Sequence, residues 1–437
     1  MVDNMASHLV KEAKQYQEQF KTGESAFIDE KKEALAQFIK LGLPNKKEEI
    51  WKYTNTSSFL KEDLKLNPPK GSWSHDIIKS FSLQETCNKI IFVNGHFNSD
   101  LTSLEDGLEL KQDEHSSFFE TEEPFDLFNK ATSNSTIHLS VQADKVFENP
   151  IEILHLSSKE NHNHINCPRI QIDVQNYSKI FVFEHFICTE KDKSPYYFVN
   201  ALTEINCGEG SFVEHIKCQR DSLESVHIAQ VKAKVQKDAH FKSFTLSLGA
   251  SLARNNIFSY LENTWANTSV HGLFVIKEKQ HCDNFSIINH KISHTTSEQL
   301  FKGVIDESAH GIFTGKVIVN PNAQQVNSTQ LNNNLLLNKK AKVNTRPILE
   351  IDADDVKCSH GATIGQIDEN QAFYLRTRGM SQRKAQEILC HAFLQEALDK
   401  ITHEKIKDFV QPILVKRFEQ FQILESNKEG EKNANRH

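Results

Sequence analysis

The sequence predicts a mainly β body held between two helical ends, and three observations carry that prediction. Through the middle of the chain short apolar runs recur every ~10–15 residues, separated by turns rich in Asn, Asp, Ser and Gly. At both ends apolar residues fall instead at i, i+3, i+4 and i+7, the spacing of a helix with one buried face. Between body and tail lies Leu349–Met380, LEIDADDVKCSHGATIGQIDENQAFYLRTRGM. It packs a strand-like entry, a Cys-x-His pair, an aromatic segment and a basic exit into one span, the one place where metal-capable and cationic residues crowd together.

Taken in order, Ala6, Leu9, Val10, Ala13, Tyr16 and Phe20 mark one helical face over residues 3–22. Phe27, Ala34, Leu35, Phe38 and Ile39 mark a second, stopped by Gly42 and Pro44. Trp51 and Tyr53 in KKEEIWKYTN read as core anchors, because large aromatics bury the most surface per residue. Pro68, Pro69 and Gly71 mark a loop. From Cys87 the character changes: KIIFVNGHF is a strand entering an Asn-Gly turn, and a helix is expected around Phe125–Ala131. Strands follow in IEILHL, RIQIDV, KIFVFEHF, SFVEHIK, VHIAQVKAKV, HFKSFTLSL, HGLFVIK, NFSIINHK and IFTGKVIV. In VHIAQVKAKV, Ala229, Val231, Ala233 and Val235 face one side while Gln230, Lys232 and Lys234 face the other.

Such a run fits either an antiparallel sandwich or a coiled solenoid, and periodicity does not separate them. Two features lean toward the solenoid. Only 16 Gly serve the whole chain, few for the two-residue turns of hairpins. Asn-dense corners such as Asn320–Asn334, NPNAQQVNSTQLNNN, suit stacked coils whose amides ladder from rung to rung. Beyond Ser381, an N-cap candidate, the stripe Ala385, Ile388, Leu389, Ala392, Phe393, Ala397, Leu398 and Ile401 is helical again. Another helix is expected over Ile406–Ile423, and the tail SNKEGEKNANRH has nothing to bury and is expected to be disordered.

At 437 residues the chain exceeds one ordinary core, so two or three packed units are expected. Hydrophobic residues at 38% and charged residues at 25% describe a globular protein. A net charge of −7 argues against nucleic acid as the main partner. No run approaches the ~18 apolar residues of a membrane span, and the start MVDNMASHLVKEAKQYQEQF lacks the apolar block of a secretory signal. Its acidic residues speak against a transit peptide, so the cytoplasm is expected. The eight cysteines show no Cys-x-x-Cys and are expected to be reduced, most of them as small buried hydrophobes. The 21 histidines are spread along strands rather than gathered at zinc-finger spacing.

Chemistry concentrates at Cys358 and His360. On an extended segment they share a face with α-carbons about 6.5–7 Å apart, and thiolate with imidazole suits iron or zinc. Two ligands do not close a tetrahedral site. Either this is half a site that another chain completes, or it is a packed Cys beside a hydrogen-bonded His. His290 and His294 share a strand face about 13 Å apart and read as polar strand-face or turn residues. His281 and Cys282 fall on opposite faces. GIFTGKV, Gly311–Val317, has one spacer too few for a phosphate loop and Val where magnesium needs Ser or Thr. Neither a G-x-S-x-G elbow nor an H-E-x-x-H helix is present. Arg376, Arg378 and Gly379 are either a solvated basic turn or a docking corner, where guanidinium forks give directional contacts.

The stretch KVNTRPILEIDADDVKCSHGATIGQIDENQAFYLRTRGMS resembles the signature region of the SufB/SufD family of iron–sulfur cluster assembly proteins, and ADDVKCSHGATIG resembles its SufD branch. The resemblance continues upstream through HTTSEQLFKGVIDESAHGIFTGKVIVNPNAQQVNSTQLNNNLLL and reaches EEIWKYTN and IIFVNGHF. It implies a right-handed parallel β-helix core over 136–370, an N-terminal helical domain with a short β segment over 1–135, and a C-terminal helical domain with its tail over 371–437. It further implies a non-catalytic subunit of a cytosolic scaffold complex, paired with a SufB-like paralogue and docking a SufC-like ATPase, or a homodimer when isolated. His360, with Cys358 beside it, would lie at the SufB interface and meet iron or the nascent iron–sulfur cluster; no tightly bound cofactor is expected in the isolated chain. The ATPase contact would map onto Tyr374, Arg376, Arg378, Gly379 and Met380 and the helix from Ser381. AFYLRTRGM departs from the Leu-Phe-Tyr and Gly-Ile of many relatives by conservative apolar changes. Two rivals remain. A SufB-like scaffold holding the cluster itself would need more same-face cysteines near the seam, and a β-helix polysaccharide-active enzyme would need acidic calcium ligands beside a basic residue.

Overall fold

A computed structural model of the chain describes residues 2–20, 25–61, 63–71, 73, 75–83, 88–112, 118–120, 123–133, 136–190 and 194–419. Cys87, the tail from Ser426, the end of the expected Ile406–Ile423 helix, and the side chains of Phe20 and Phe27 lie outside the described residues. Helices α1 (Val2–Gln17) and α2 (Ser25–Leu41) bring Leu9, Ala13 and Tyr16 against Leu35 and Phe38 in one apolar cluster. Gly42, at φ +73, ends α2 by donating to the Phe38 carbonyl at 2.8 Å, a left-handed cap that glycine adopts without strain. A short α3 (His75–Lys79) precedes β1 (Lys89–Val93). Asn94 and Gly95, both at positive φ, then reverse the chain into β2 (His96–Ser103), as the dipeptide predicts. Next come β3 (Leu108–Gln112), helix α4 (Pro124–Thr132) and β4 (Thr136–Val141).

From there the chain coils. Its strands are β5 (Ile151–Ser157), β6 (Ile165–Asn166), β7 (Arg169–Val174), β8 (Lys179–Cys188), β9 (Phe198–Cys207) and β10 (Phe212–Arg220). They continue as β11 (Val226–Val235), β12 (His240–Ser247), β13 (Leu252–Leu261), β14 (Asn267–Ile276) and β15 (His281–His290). The last are β16 (Thr296–Ile305), β17 (His310–Val319), β18 (Val326–Leu336), β19 (Lys342–Ile351) and β20 (Val356–Gly365). Even-numbered strands from β8 to β20 stack in one sheet and odd-numbered strands from β7 to β19 in the other. Every pairing along these stacks is parallel; only the β1–β2 and β3–β4 pairs at the N-terminal end are antiparallel. Each coil gives one strand to each sheet, with roughly 30 residues per coil, so His240, Asn267, Thr296, Asn327 and Lys357 stand in one column. The solenoid is the architecture, and the sandwich is excluded.

The corners explain how so few glycines suffice. Tyr177, Gly210, Asp238, Trp265, His294 and Gln325 all take positive φ along one corner of successive coils. Their N–H groups donate to the next coil, as Tyr177 does to Glu209 O at 2.8 Å and His294 to Gln324 O at 3.0 Å. A non-glycine residue in this region costs roughly 1–2 kcal/mol, which the coil-to-coil bond offsets. Asn320–Asn334 is not a corner throughout: residues from Val326 onward are strand β18. The amides do ladder, but from inside the strand.

Strand alternation sends Ala229, Val231, Ala233 and Val235 into the lumen, as expected. Their outward neighbours Gln230 and Lys232 are nevertheless buried, because α4 lies over them and offers Glu123 and Asp126 as partners. Covered on both faces, the strand loses the alternation of burial that a solvated sheet would show. Trp51 is the anchor predicted, while Tyr53 is only half-buried. The Trp51 ring lies 3.7 Å from the guanidinium of the fully buried Arg254, which is paired with Asp283 and donates to Asn256 Oδ1 at 2.9 Å.

At the other end α6 (Gln382–Leu398) and α7 (Glu404–Glu419) fold back onto the outer face of the even-numbered sheet, and α5 (Glu369–Thr377) packs against α6. The buried stripe of α6 runs through Ala385, Cys390, Leu394, Ala397 and Leu398; Ala392 is exposed, because the helix is wedged between α7 and the sheet rather than laid flat. Polar clamps add to it: Lys302 Nζ donates to Phe393 O at 2.8 Å, and Glu214 accepts from the Thr402 and His403 backbones at 2.9 and 3.2 Å.

Asp283→Ala leaves the Arg254 guanidinium sealed without its carboxylate, which is expected to cost about 3–5 kcal/mol. Urea unfolding of the full chain measures it, and a near-neutral change would show that the N-terminal region is not held there.

Candidate functional site at the open end of the solenoid

The solenoid ends on a bare edge. Among the described residues β19 pairs only with β17 and β20 only with β18, so the far edge of each presents backbone donors and acceptors without a strand to meet them. Burial falls away over this last coil, and Ile364 is 53% exposed. On the inner face Cys358, Val356 and Leu349 pack against Val317, Val319 and Val326. Alternation along β20 places His360, Ala362 and Ile364 on the same face as Cys358. The two sequence-predicted ligands therefore do stand together, at the mouth of the lumen, in register with Ser328 and Gln330 of the coil below. His360 is exposed and Cys358 half-buried; burial pushes the Cys358 thiol up from its ordinary value, against a hydrogen bond from Ser328. Among the described residues no group of three or more His, Cys, Asp or Glu converges as a metal site.

The basic exit follows at once. Only residues 366–368 separate β20 from α5, whose N-cap Asp368 accepts from the Asn370 backbone at 2.8 Å. In α5 only Ala372 is buried, while Phe373 and Tyr374 are 64% and 58% exposed. The Arg378 guanidinium lies 5.3 Å over the Tyr374 ring and donates to its hydroxyl at 3.2 Å. Arg376 is exposed on the same helix, Gly379 caps it at φ +88, and Met380 leads to Ser381, which caps α6 through Lys384 N at 3.2 Å. An exposed aromatic and cationic patch thus adjoins the strand that carries His360.

The remaining sequence candidates are structural. His290 is buried, bonds Thr295 Oγ1 at 2.8 Å and Ser297 Oγ at 2.9 Å, and burial drives its pKa down to about 4. His294 is a corner residue stacked on Trp265. GIFTGKV is part of β17. Sequence reading did miss a charged cluster in the lumen. Glu184 accepts from His155 Nε2 at 3.1 Å, His215 Nε2 at 2.8 Å and Thr203 Oγ1 at 3.1 Å. Burial works to raise its pKa, but the bonds from His155 and His215 outweigh it and hold the carboxyl well below the ordinary range. Lys217, its register partner, is fully buried, and burial lowers its pKa to about 8. The signal for this cluster is a charge pair one coil apart, legible only after the register is known.

Residues 155–393 match the SUF system FeS cluster assembly SufBD core domain, and residues 4–109 match the SufBD protein N-terminal region. The chain belongs to the SufBD family. An iron–sulfur cluster assembly SufBD family protein of Synechocystis is 32% identical over 404 residues, covering 87% of this chain and 88% of its own. The iron–sulfur cluster assembly protein SufD of Escherichia coli is 28% identical over 383 residues, covering 86% and 89%. A chloroplastic protein of Arabidopsis thaliana, ABCI7, is 30% identical over 267 residues, covering 60% and 56%. These relatives set the chain in the SufD branch, as a component of iron–sulfur cluster assembly. The SufBD core match runs from His155 in β5 to Phe393 in α6, so it takes in both the open end and the patch on α5. No helix among the described residues is long and apolar enough to cross a membrane.

Because the Glu184 carboxyl is held low in the folded state, its contribution to stability is complete above its ordinary value of 4.5 and is lost as pH falls below it. Glu184→Gln is expected to melt below the parent at neutral pH, with the gap closing as pH falls below 4.5. A gap independent of pH in thermal melts would count against a charged Glu184.

Proposed function

We propose that this SufBD protein is the SufD-type, non-catalytic subunit of a cytoplasmic scaffold complex. Its open end joins a SufB-like paralogue, or a second copy of the chain when no paralogue is present. There His360, with Cys358, gives ligands to iron or to a nascent iron–sulfur cluster that is cargo rather than a resident cofactor. The observation that carries this reading is the pair of nitrogen and sulfur ligands on an unmatched strand edge. A neighbouring strand would satisfy the bare backbone groups and could bring the ligands that a closed site still needs. Imidazole and thiolate both suit iron. Cys358 is the one cysteine of the last coil, which favours a shared site over a cluster held by this chain alone.

Fuel would come from a separate ATPase, since the chain's phosphate-loop lookalike is a strand. Its dock is the α5 patch of Tyr374, Arg376, Arg378, Gly379 and Met380, with Phe373 beside them. Aromatic and Arg side chains dominate binding energy at interfaces, and here they are already exposed. The three-residue link from α5 to β20 gives the docked ATPase a direct hold on the strand bearing His360.

His360→Ala is expected to abolish cluster production in cells while the complex with the SufB-like and SufC-like partners still co-purifies; normal cluster output would refute the ligand role. Phe373→Ala with Tyr374→Ala removes no buried side chain and is expected to weaken ATPase capture at least ~10-fold, a change of about 1.4 kcal/mol. Undiminished capture in a titration with the purified ATPase would move the dock elsewhere.

A further inference from the structure

Beneath His360 lies an acceptor without a donor. Gln330 is the register partner of His360 one coil inward, about 4.8 Å away along the ladder. Alternation turns both side chains toward the lumen. Gln330 is fully buried, and its Nε2 donates to Gln299 Oε1 of the next coil at 2.6 Å. Its Oε1 is sealed from solvent with no partner among the described residues. Gln330 thus gives its N–H inward and keeps a carbonyl without a donor, while Gln299 Nε2 one coil further in is likewise buried without a partner among the described residues.

Neighbouring donors on β18 are already committed. Ser328 Oγ shares a hydrogen bond with Ser297 Oγ at 2.8 Å, Asn332 Nδ2 donates to Phe301 O at 3.1 Å, and Asn334 Nδ2 donates to Asn332 Oδ1 at 2.7 Å. A buried carbonyl without a donor costs about 1–3 kcal/mol, so a donor belongs over Gln330, and the side chain stacked there is the imidazole. The opposite wall is cut to fit. A Cβ at Gly315 would collide with Gln330 Nε2 and stand 2.7 Å from Gln299 Oε1, so only glycine lets the amide pair span the lumen. Gly315 is the second glycine of GIFTGKV.

We propose that Gln330 is the positioning residue for His360: its Oε1 takes the inward ring N–H, fixes one tautomer, and leaves the other nitrogen's lone pair aimed out of the mouth. Ligating histidines are commonly held this way by an acceptor on their second nitrogen, and losing that acceptor typically costs 10–100-fold in metal affinity. The inference deepens the proposed function and rests on His360 being a ligand, but the tautomer can be read without any metal.

The full-length chain, labelled with ¹⁵N-histidine, reports the tautomer of neutral His360 through its ring nitrogen shifts, assigned by comparison with His360→Gln. Two variants divide the explanations. Gln330→Met keeps the volume and removes the acceptor; Gln330→Glu keeps an acceptor, with Gln299 turning its amide to donate. One dominant tautomer in the parent and in Gln330→Glu, with mixed populations in Gln330→Met, is the expected result. Ferrous iron binding by the assembled complex should fall about 10–100-fold in Gln330→Met and recover in Gln330→Glu. A mixed tautomer in the parent, no change in Gln330→Met, or Met outperforming Glu as simple space-filling would, overturns the proposal. A locked tautomer alongside normal cluster output from His360→Ala upholds the Gln330 geometry and overturns only the ligand role.

Discussion

The parallel backbone ladder between coils is the constraint on which the rest of the molecule depends. Each coil satisfies its donors and acceptors only through the coils on either side, so the ladder has no internal stopping point. At the start the chain solves this by turning antiparallel: β2 covers β1, and β3 covers β4. At β19 and β20 it does nothing of the kind. Edges of this length and this exposure are a template for another strand, and among the described residues no Pro, bulge or covering helix guards β20. The feature that would be a liability in a solitary protein is the place where its two potential ligands stand.

The same economy shows on the flanks. Outward polar residues that a free sheet would leave in water are here buried under helices and matched: Lys232 to Asp126, Arg254 to Asp283 under Trp51, Glu214 to the turn before α7. Buried pairs of this kind add little net stability but punish any displacement, because separating them strands a charge. They make the N-terminal helices, α6 and α7 parts of one body with the solenoid. The last coil and α5 have fewer such ties, Arg346 to Glu49 being one of them. That scarcity of ties falls where the proposed site lies.

Much of this was legible in the residues, and the gaps have physical causes. The Asn94-Gly95 turn, the Trp51 anchor, α4, and the alternation in Val226–Val235 were readable because each depends on local spacing alone. The strands β9, β13 and β16 escape the sequence reading because Asn, Glu and Lys interrupt their apolar runs, and those residues find partners that spacing does not show: Asn200 in α4, Lys302 in α6, and Asn256 in Arg254 of its own strand. Asn320–Asn334 looked like a corner because amides favour turns, yet in a lumen an amide can bond the same residue type one coil away, as Gln330 does Gln299. The Cys358–His360 pair was legible as a shared face; that the face opens at the end of the ladder was not, since nothing local to β20 says that no coil follows.

That last point bears on how the site and its partner surface are joined. A force applied to α6 or α7 is spread over the outer face of the sheet through Lys302, Glu214 and the apolar cluster they share with it. A force applied to α5 meets almost no such resistance, since one buried side chain holds that helix and residues 366–368 tie it to β20. β20 is itself held along one edge only. Displacement therefore concentrates in the strand whose inner face carries Cys358 and His360, while the coils below stay fixed. Because Gln330 belongs to those coils, a movement of β20 would change its proposed relation to the imidazole, and a partner gripping α5 would, on the proposed reading, act on His360 through that support rather than through the body of the solenoid.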